Sequence, residues 1–426
     1  MVRIETLSID YPGNYCQERM PSLPLDDRFD CFAPTAPGLE AITARELKAR
    51  GKKPRKDVGG VAFRANSRDL YESNLWLRTA SRVLVRIGEF HASTFHELER
   101  KAKKLEWGRF LPREGRVAVR VTTRKSKLYH SDAVAERVLS AIARVAPPSL
   151  EVRPEKGTDD DPQQAAEDEN GDGSQLFVVR LVHDECEVSA DSSGTLLHRR
   201  GYRQEVAKAP LRETLAAAMV LGCGWLPTET LLDPLCGSGT IPIEAAMIAN
   251  NIAPGLRRDF AFMHWPTFDS AVWNALRAEA SDVAQTMSND ELRDRLGMIV
   301  GSDRDAGAIA AAERNAERAG VSGLISWREA ALSESITELA NRPPGWLLAN
   351  PPYGVRVGDT SSLRNLYSTL GRMTSMRSTW RTGVLTAERT LAGQLGIPLR
   401  ERFSTRNGGI PVTFFVTANV KSAGPE

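Results

Sequence analysis

The rhythm of apolar and polar positions changes several times along the chain. Residues 1–27 hold several prolines and few periodic apolar positions, which reads as a loosely attached arm. From Asp30 the spacing becomes regular. CFAPTAP predicts a short strand and turn, GLEAITARELKARG a helix closed by Gly51, and VGGVAFRAN a strand. The helical pattern SRDLYESNLWLRTASRV (67–83) and the strand LVRIGEF follow. A strand-helix-strand-helix-strand order suits a small α+β sandwich.

A second unit repeats the theme with a helix at FHELERKAKKLEW (95–107), an alternating strand at RVAVRVTTRKS, a helix at DAVAERVLSAIARV and strands in LFVVRLVHDECEVSAD. Residues 155–173, inserted within it, carry eight acids against one lysine, a block too polar to bury a core and expected to be a disordered loop. From Ala209 the texture becomes alternating strand and helix, beginning with the helix APLRETLAAAMVLG (209–222), which predicts a parallel, doubly wound sheet. Asn407-Gly408, between two strand-like runs near the end, signals a closing hairpin. The expected units are an arm (1–27), two α+β units (28–95 and 96–192), an α/β unit (193–420) and a tail (421–426).

With 426 residues, 41% of them hydrophobic and 26% charged, the chain suffices for two or three soluble domains. The longest nearly apolar run, Leu215 to Leu226, falls short of the ~20 residues a membrane span needs. The start lacks the apolar core of a signal peptide, so a cytoplasmic protein with no membrane partner is expected. Five scattered cysteines and six histidines without ligand spacing suggest neither a disulfide framework nor a metal site. The net charge of +2 hides an imbalance: residues 41–145 carry 25 Lys and Arg against 11 Asp and Glu, which suggests a polyanionic partner.

Three strand ends carry polar chemistry. DPLCGSGT, Asp233 to Thr240, falls where a strand gives way to a helix. Gly237 and Gly239 let the backbone approach a ligand, and the next helix offers free N–H groups to an anion. It is neither a Walker loop nor the three-glycine dinucleotide fingerprint, and a plain tight turn is the competing reading. Asp303, ending MIVGSD, stands where an acid can hold ribose hydroxyls or cap a helix, although Asp305 is better placed as the cap. The 70 positions from Asp233 to Asp303 exceed the roughly 20 of a compact nucleotide fold, so an insertion, residues 250–280, is expected between these strands. In LLANPPYG (347–354), Pro351 and Pro352 remove two backbone donors and stiffen the chain, leaving Asn350 and nearby carbonyls as fixed acceptors beside the flat face of Tyr353. That set fits a planar ring with an exocyclic amino group; a loop that merely ends a strand is the alternative.

Together, DPLCGSGT, GSDRD and NPPYG, in that order and each at a strand end, resemble class I S-adenosylmethionine-dependent methyltransferases acting on exocyclic amino groups. More narrowly, FAPTAPGLEAITARELKARG, SKLYHSDAVAERV, HRRGYRQEVAKAPLRETLAA, APGLRRDFAFMHWPTFD and NPPYGVRVGD are similar to the bacterial THUMP-domain guanine-N2 methyltransferases of large-subunit ribosomal RNA, across roughly residues 28 to 418. The resemblance implies a Rossmann-like class I methyltransferase domain preceded by a ferredoxin-like plus THUMP α+β module that grips RNA. It implies S-adenosylmethionine as cofactor, with Gly237 and Gly239 along its methionine and ribose, Asp233 at its amino end, Cys236 and Thr240 in the same loop, and Asp303 on the ribose hydroxyls. Arg212 and Thr214 are candidates for the methionine carboxylate, although Arg212 also reads as a solvated charge. Asn350, Pro351 and Tyr353 would hold the target base. RNA contacts are expected from Lys101, Lys103, Lys104, Arg124, Lys125 and Lys127, within the basic stretch.

One position departs from the family. An aspartate usually follows the third strand and contacts the adenine, whereas this chain reads Trp327-Arg328-Glu329-Ala330, which makes Glu329 the substitute candidate. No Ser-His-Asp set or carboxylate pair suggests another chemistry. The expected activity is N2-methylation of a guanosine in 23S rRNA, with tRNA guanine-N2 methylation the close competitor. A DNA amino-methyltransferase and a non-catalytic RNA-binding protein are the rivals from other classes, and charge alone does not separate RNA from DNA.

Overall fold

The computed structural model describes residues 28–154, 174–205, 211–285, 297–339, 343–352, 360–375 and 379–418. The arm at 1–27, the acidic block 155–173 and Tyr353 lie outside the described residues.

The N-terminal half is built from β1 (Phe29–Pro34), α1 (Glu40–Ala49), β2 (Arg55–Asp57), β3 (Gly60–Ala65), α2 (Ser67–Trp76) and β4 (Leu84–His91). It continues through α3 (Phe95–Ala102), β5 (Gly115–Arg124), α4 (Ser131–Ala143), β6 (Leu150–Pro154), β7 (Gln175–Val182) and β8 (Glu185–Asp191). The expected pair of α+β units shares one eight-stranded sheet, ordered β2-β3-β1-β4-β8-β7-β5-β6. The join is the antiparallel pairing of β4 with β8, from Leu84 opposite Asp191 to His91 opposite Glu185.

Two helices end earlier than their patterns suggest, each for a tertiary reason. The helix drawn over 67–83 stops at Trp76, because the half-buried carboxylate of Glu46 on α1 accepts from the N–H groups of Arg78 (2.8 Å) and Thr79 (3.1 Å) and pulls the chain out of helical geometry. The helix drawn over 95–107 stops at Ala102, whose carbonyl accepts from the indole of the buried Trp107 (2.8 Å).

The C-terminal half holds α5 (Glu213–Cys223), β9 (Thr230–Asp233), α6 (Thr240–Ala249), α7 (Ser270–Gln285), β10 (Ile299–Asp303), α8 (Ala306–Ala319) and β11 (Ile325–Glu329). Then follow α9 (Leu332–Leu339), β12 (Gly345–Ala349), α10 (Thr360–Ser375), β13 (Arg381–Thr386), α11 (Arg389–Gly393), β14 (Leu399–Asn407) and β15 (Ile410–Thr417). Asp305 caps α8 by accepting from Gly307 and Ala308, as the sequence predicts, and Gly320 ends it in the left-handed region. The seven-stranded sheet runs β11-β10-β9-β12-β13-β15-β14, parallel except at β15. Its order reverses between β9 and β12, the switch point where open α/β sheets bind ligands. The closing hairpin turns on Gly408-Gly409, one residue later than read from the sequence, with Asn407 paired to Ile410 and both glycines at positive φ.

The insertion after α6 does not hang from the seven-stranded sheet. Phe260, Phe262, Trp265 and Trp273 are buried in the same apolar cluster as the N-terminal strands, and Phe262 stacks on Tyr71 of α2 with ring centroids 4.4 Å apart. Gly255 passes so close to α2 that a Cβ there would stand 2.9 Å from the Leu75 backbone, and its N–H donates to the Leu75 carbonyl (2.9 Å). The insertion of the C-terminal half is therefore buried in the N-terminal core, whereas the seven-stranded sheet packs in clusters of its own.

Candidate functional site

Strand register fixes the site's frame. Gly301 of β10 pairs with Asp233 of β9, so Asp303 stands two residues beyond it. On the other flank Leu347 of β12 pairs with Leu232, so Asn350 stands about two residues above the level of Asp233. Asp303 and Asn350 thus flank the tip of β9 at similar height, each about one strand spacing, ~4.8 Å, from the β9 axis.

The loop leaving β9 is pinned on three sides. Cys236 N–H donates to the Ser302 carbonyl (3.0 Å), Gly237 N–H donates to Asp303 Oδ2 (2.9 Å), and the buried Asn315 of α8 donates to the Ser238 carbonyl (3.1 Å). Gly237 and Gly239 take positive φ of 52° and 85°, conformations that glycine adopts without strain. A Cβ on Gly239 would also stand 2.7 Å from the indole of Trp327 and 2.9 Å from Cβ of Ala312. Trp327 fills the space that Gly239 and Gly301 leave open, a role not evident from the sequence, where it appears only as part of a missing aspartate.

Asp233 is buried, and burial pushes its carboxyl well above the usual range; its Oδ1 accepts from Leu235 N–H (3.1 Å). Asp303 is half-buried, and its Oδ1 accepts from Asp305 N–H (3.1 Å). Each of its oxygens keeps further lone-pair capacity for a hydroxyl. Thr240 and the thiol of Cys236 are buried, and burial raises the thiol far above its ordinary pKa, so it is no nucleophile. Glu329 pairs across to Asp303 at the tip of β11 and is exposed, while the next N–H, of Ala330, donates to the Asp303 carbonyl (2.9 Å).

Across β9 the picture differs. β12 is buried throughout, Pro351 is buried and Pro352 exposed. Asn350 Oδ1 is buried and has no hydrogen-bond partner among the described residues. A buried acceptor left without a donor costs about 1–3 kcal/mol.

Arg212 is the N-cap residue of α5 and Thr214 is buried in its first turn. Because α5 ends near the start of β9 and packs along α6, its first turn lies at the sheet's carboxyl rim, on the same side as the glycine loop. Between them, Glu213 is held by Arg203 (3.0 Å), yet burial outweighs that attraction and lifts its carboxyl to about 7. Deeper in, the fully buried Glu244 of α6 accepts from Tyr202 (3.1 Å) and Arg200 (3.4 Å), while Arg78 of the N-terminal half donates to the Ile252 carbonyl (2.6 Å). This polar bracket ties the first helix after the glycine loop to the N-terminal module.

Much of the basic excess is internal cement rather than free surface. Lys52 is bound to Asp69 and Glu72, Arg82 to the buried Asp191, and Arg86 to Glu187. Among the RNA candidates, Lys101 donates to the His91 carbonyl (2.6 Å) and Lys103 pairs with Glu99 (2.5 Å), with exposed Lys104 beside it. Arg124, Lys125 and Lys127, at the far end of β5, are exposed and have no acidic side-chain partner for their charges among the described residues.

No helix among the described residues is long and apolar enough to cross a membrane. The four described cysteines, Cys31, Cys186, Cys223 and Cys236, are buried and unpaired.

Comparison with known proteins matches three family models along the chain: an RlmL ferredoxin-like domain at residues 30–84, a THUMP domain at 92–155 and an RMKL-like methyltransferase domain at 200–413. The Bacillus subtilis (strain 168) protein named "Putative RNA methyltransferase YpsC" is 34% identical over 382 residues, 89% of this chain and 94% of that protein. Among solved structures, "SMU.472, a putative methyltransferase complexed with SAH" superposes with a TM-score of 0.78 at 31% identity, covering 92% of this chain and 98% of that one. A Listeria monocytogenes protein titled "a predicted N6-adenine-specific DNA methylase" gives 0.77 at 34% identity, covering 91% and 96%. The chain belongs to the family of RNA methyltransferases that join an RlmL-type ferredoxin-like domain and a THUMP domain to an RMKL-like methyltransferase domain.

Proposed function

We propose that this RNA methyltransferase modifies the exocyclic N2 amino group of a guanosine in 23S ribosomal RNA, using S-adenosylmethionine. The observation that carries the reading is Asn350 Oδ1, buried and without a hydrogen-bond partner among the described residues, an acceptor that an amino group would satisfy. The proposed units are 28–95 and 96–192 for gripping RNA and 193–420 for catalysis.

The residues on the other flank of β9 suit the cofactor. The pinned glycine loop, the Asp303 carboxylate and the first turns of α5 and α6 offer backbone N–H groups and acceptors matched to an amino acid and a ribose. Asp303 would hold the ribose hydroxyls, Asp233 the amino end, Gly237, Gly239, Cys236 and Thr240 the methionine and ribose, Arg212 and Thr214 the carboxylate, and Glu329 the adenine side. When bound there, S-adenosylmethionine supplies an electrophilic methyl group.

This chain's residues do the rest. An exocyclic amino nitrogen shares its lone pair with the ring and is a poor nucleophile. Asn350 Oδ1 accepts one of its N–H bonds and a proline carbonyl accepts the other, which favours a pyramidal nitrogen and stabilises the positive charge that grows on it. Buried Pro351 stiffens this edge, and Tyr353 is assigned by its place in the motif as the stacking face. Holding the base in line accounts for much of the remaining acceleration, and a base in a stem must first be flipped out.

The test is mass spectrometry of nucleosides from the separated rRNA and tRNA of a deletion strain. The reading expects N2-methylguanosine to fall in 23S rRNA and to return with the wild-type gene. Loss from tRNA alone would replace the rRNA assignment, and unchanged N2-methylguanosine in both would end the guanine reading.

A further inference from the structure

The segment joining β5 to α4, Arg124 to His130, has a feature that phosphate contact does not explain. Tyr129 is 67% exposed, and its ring lies against that of His130 with centroids 4.1 Å apart. An exposed ring beside three cations that have no acidic partners among the described residues offers a π face and a phosphate-binding flank together.

The segment is also fixed in shape. Leu128 is buried and anchors it, and the Tyr129 carbonyl accepts from Thr123 Oγ1 (3.2 Å). Asp184, in the turn between β7 and β8, accepts from Lys127 N–H (2.7 Å) and donates its own N–H to Ser126 Oγ (3.0 Å). Three of the four non-glycine residues with positive φ among those described, Lys125, His183 and Asp184, meet here. Backbone in such regions costs free energy and persists only where its surroundings hold it.

We infer that this segment is a nucleobase platform: Tyr129 stacks an unpaired base of the RNA substrate, while Arg124, Lys125 and Lys127 hold the phosphates beside it. The chemistry is that of single-strand recognition, in which every base offers a π face and neighbouring cations follow the backbone. It makes the preferred substrate an RNA with an unpaired nucleotide at the module, apart from the nucleotide that is methylated. The inference rests on the RNA reading of the function and not on which base or which RNA is modified.

The experiment measures affinity of the full chain for two synthetic RNA hairpins of equal length and charge, one with an unpaired tail and one blunt. Tyr129→Ala should weaken binding of the tailed RNA roughly 5- to 150-fold, the ~1–3 kcal/mol of base–aromatic stacking. It should leave the blunt RNA unchanged, and Tyr129→Phe should bind like wild type. Lys125→Ala should instead weaken both RNAs and reduce the salt slope by about 0.7–0.9. Unchanged affinity of Tyr129→Ala for the tailed RNA, or equal loss on both RNAs, would overturn the platform. Because the readout is binding, it decides the platform whether or not methyl transfer goes to guanine N2.

Discussion

On the β10 side of β9 the acceptors of the glycine loop and of Asp303 are bonded within the protein, with the Trp327 indole N–H left over; on the β12 side a buried acceptor is left alone among the described residues. Asp303 already accepts from Gly237 and Asp305, and the Ser238 carbonyl is already taken by Asn315. Asn350 Oδ1 has no such partner among the described residues. On the proposed function, the difference separates the half of the site finished by the protein from the half finished by what it binds. A ready-made cradle spends little free energy on reorganisation, whereas a starved acceptor discriminates, because a ligand without a donor leaves it starved.

The largest expected effect follows from this contrast. Asn350→Ala should lower methyl transfer by about 10²–10³-fold or more while RNA affinity stays nearly intact. Since it removes a buried acceptor without a donor, its thermal midpoint should be unchanged or higher. Wild-type turnover, or a large loss of stability, would break the contrast. Next, Gly239→Ala should weaken cofactor binding by on the order of 10²-fold, since it combines a left-handed φ with a Cβ pressed on Trp327; calorimetric titration with S-adenosylhomocysteine checks this. Asp303→Ala should cost about 10-fold in the same titration and, unlike Asn350→Ala, should lower stability by about 1–3 kcal/mol, because Gly237 and Asp305 lose their acceptor.

The smallest effect concerns pH. Glu213 is lifted to about 7 from an ordinary 4.5, so the folded state holds this proton more tightly than the unfolded chain does. Its contribution is complete below about pH 4.5 and is lost as pH rises through about 7. Urea midpoints of wild type and Glu213→Gln between these limits should diverge in that direction, wild type declining relative to the variant. Parallel curves would show that Arg203 keeps the carboxylate charged.

Much of the catalytic sheet was legible because its signals are local. The alternation of strand and helix, Asp305 as cap, Gly320 as stop and the hairpin near Asn407 all depend on residues adjacent in sequence. The failures share one physical cause, which is that distant residues decide. Nothing near Trp76 announces that Glu46 will capture the next two amides, and nothing in β4 announces a partner about 100 residues later. The short β2, exposed at every position, has no alternation to read. At the site, the motif order pointed to strand tips, but Asn350's lack of a partner is a property of packing. The basic stretch was visible as a count, yet only the structure separates cations bound into the fold, such as Lys52 and Arg82, from exposed ones such as those at the end of β5.

The aromatic insertion that stacks on α2 has a consequence for how targets are chosen. With Phe262, Tyr71 and Trp265 buried in one cluster with the N-terminal strands, the insertion of the C-terminal half is held against the N-terminal sheet. On the proposed reading the molecule would act as a calliper: an RNA would be accepted when the separation between its gripped feature and its target nucleotide matches the spacing of grip and site, so the address of the modified base would be written partly as a distance.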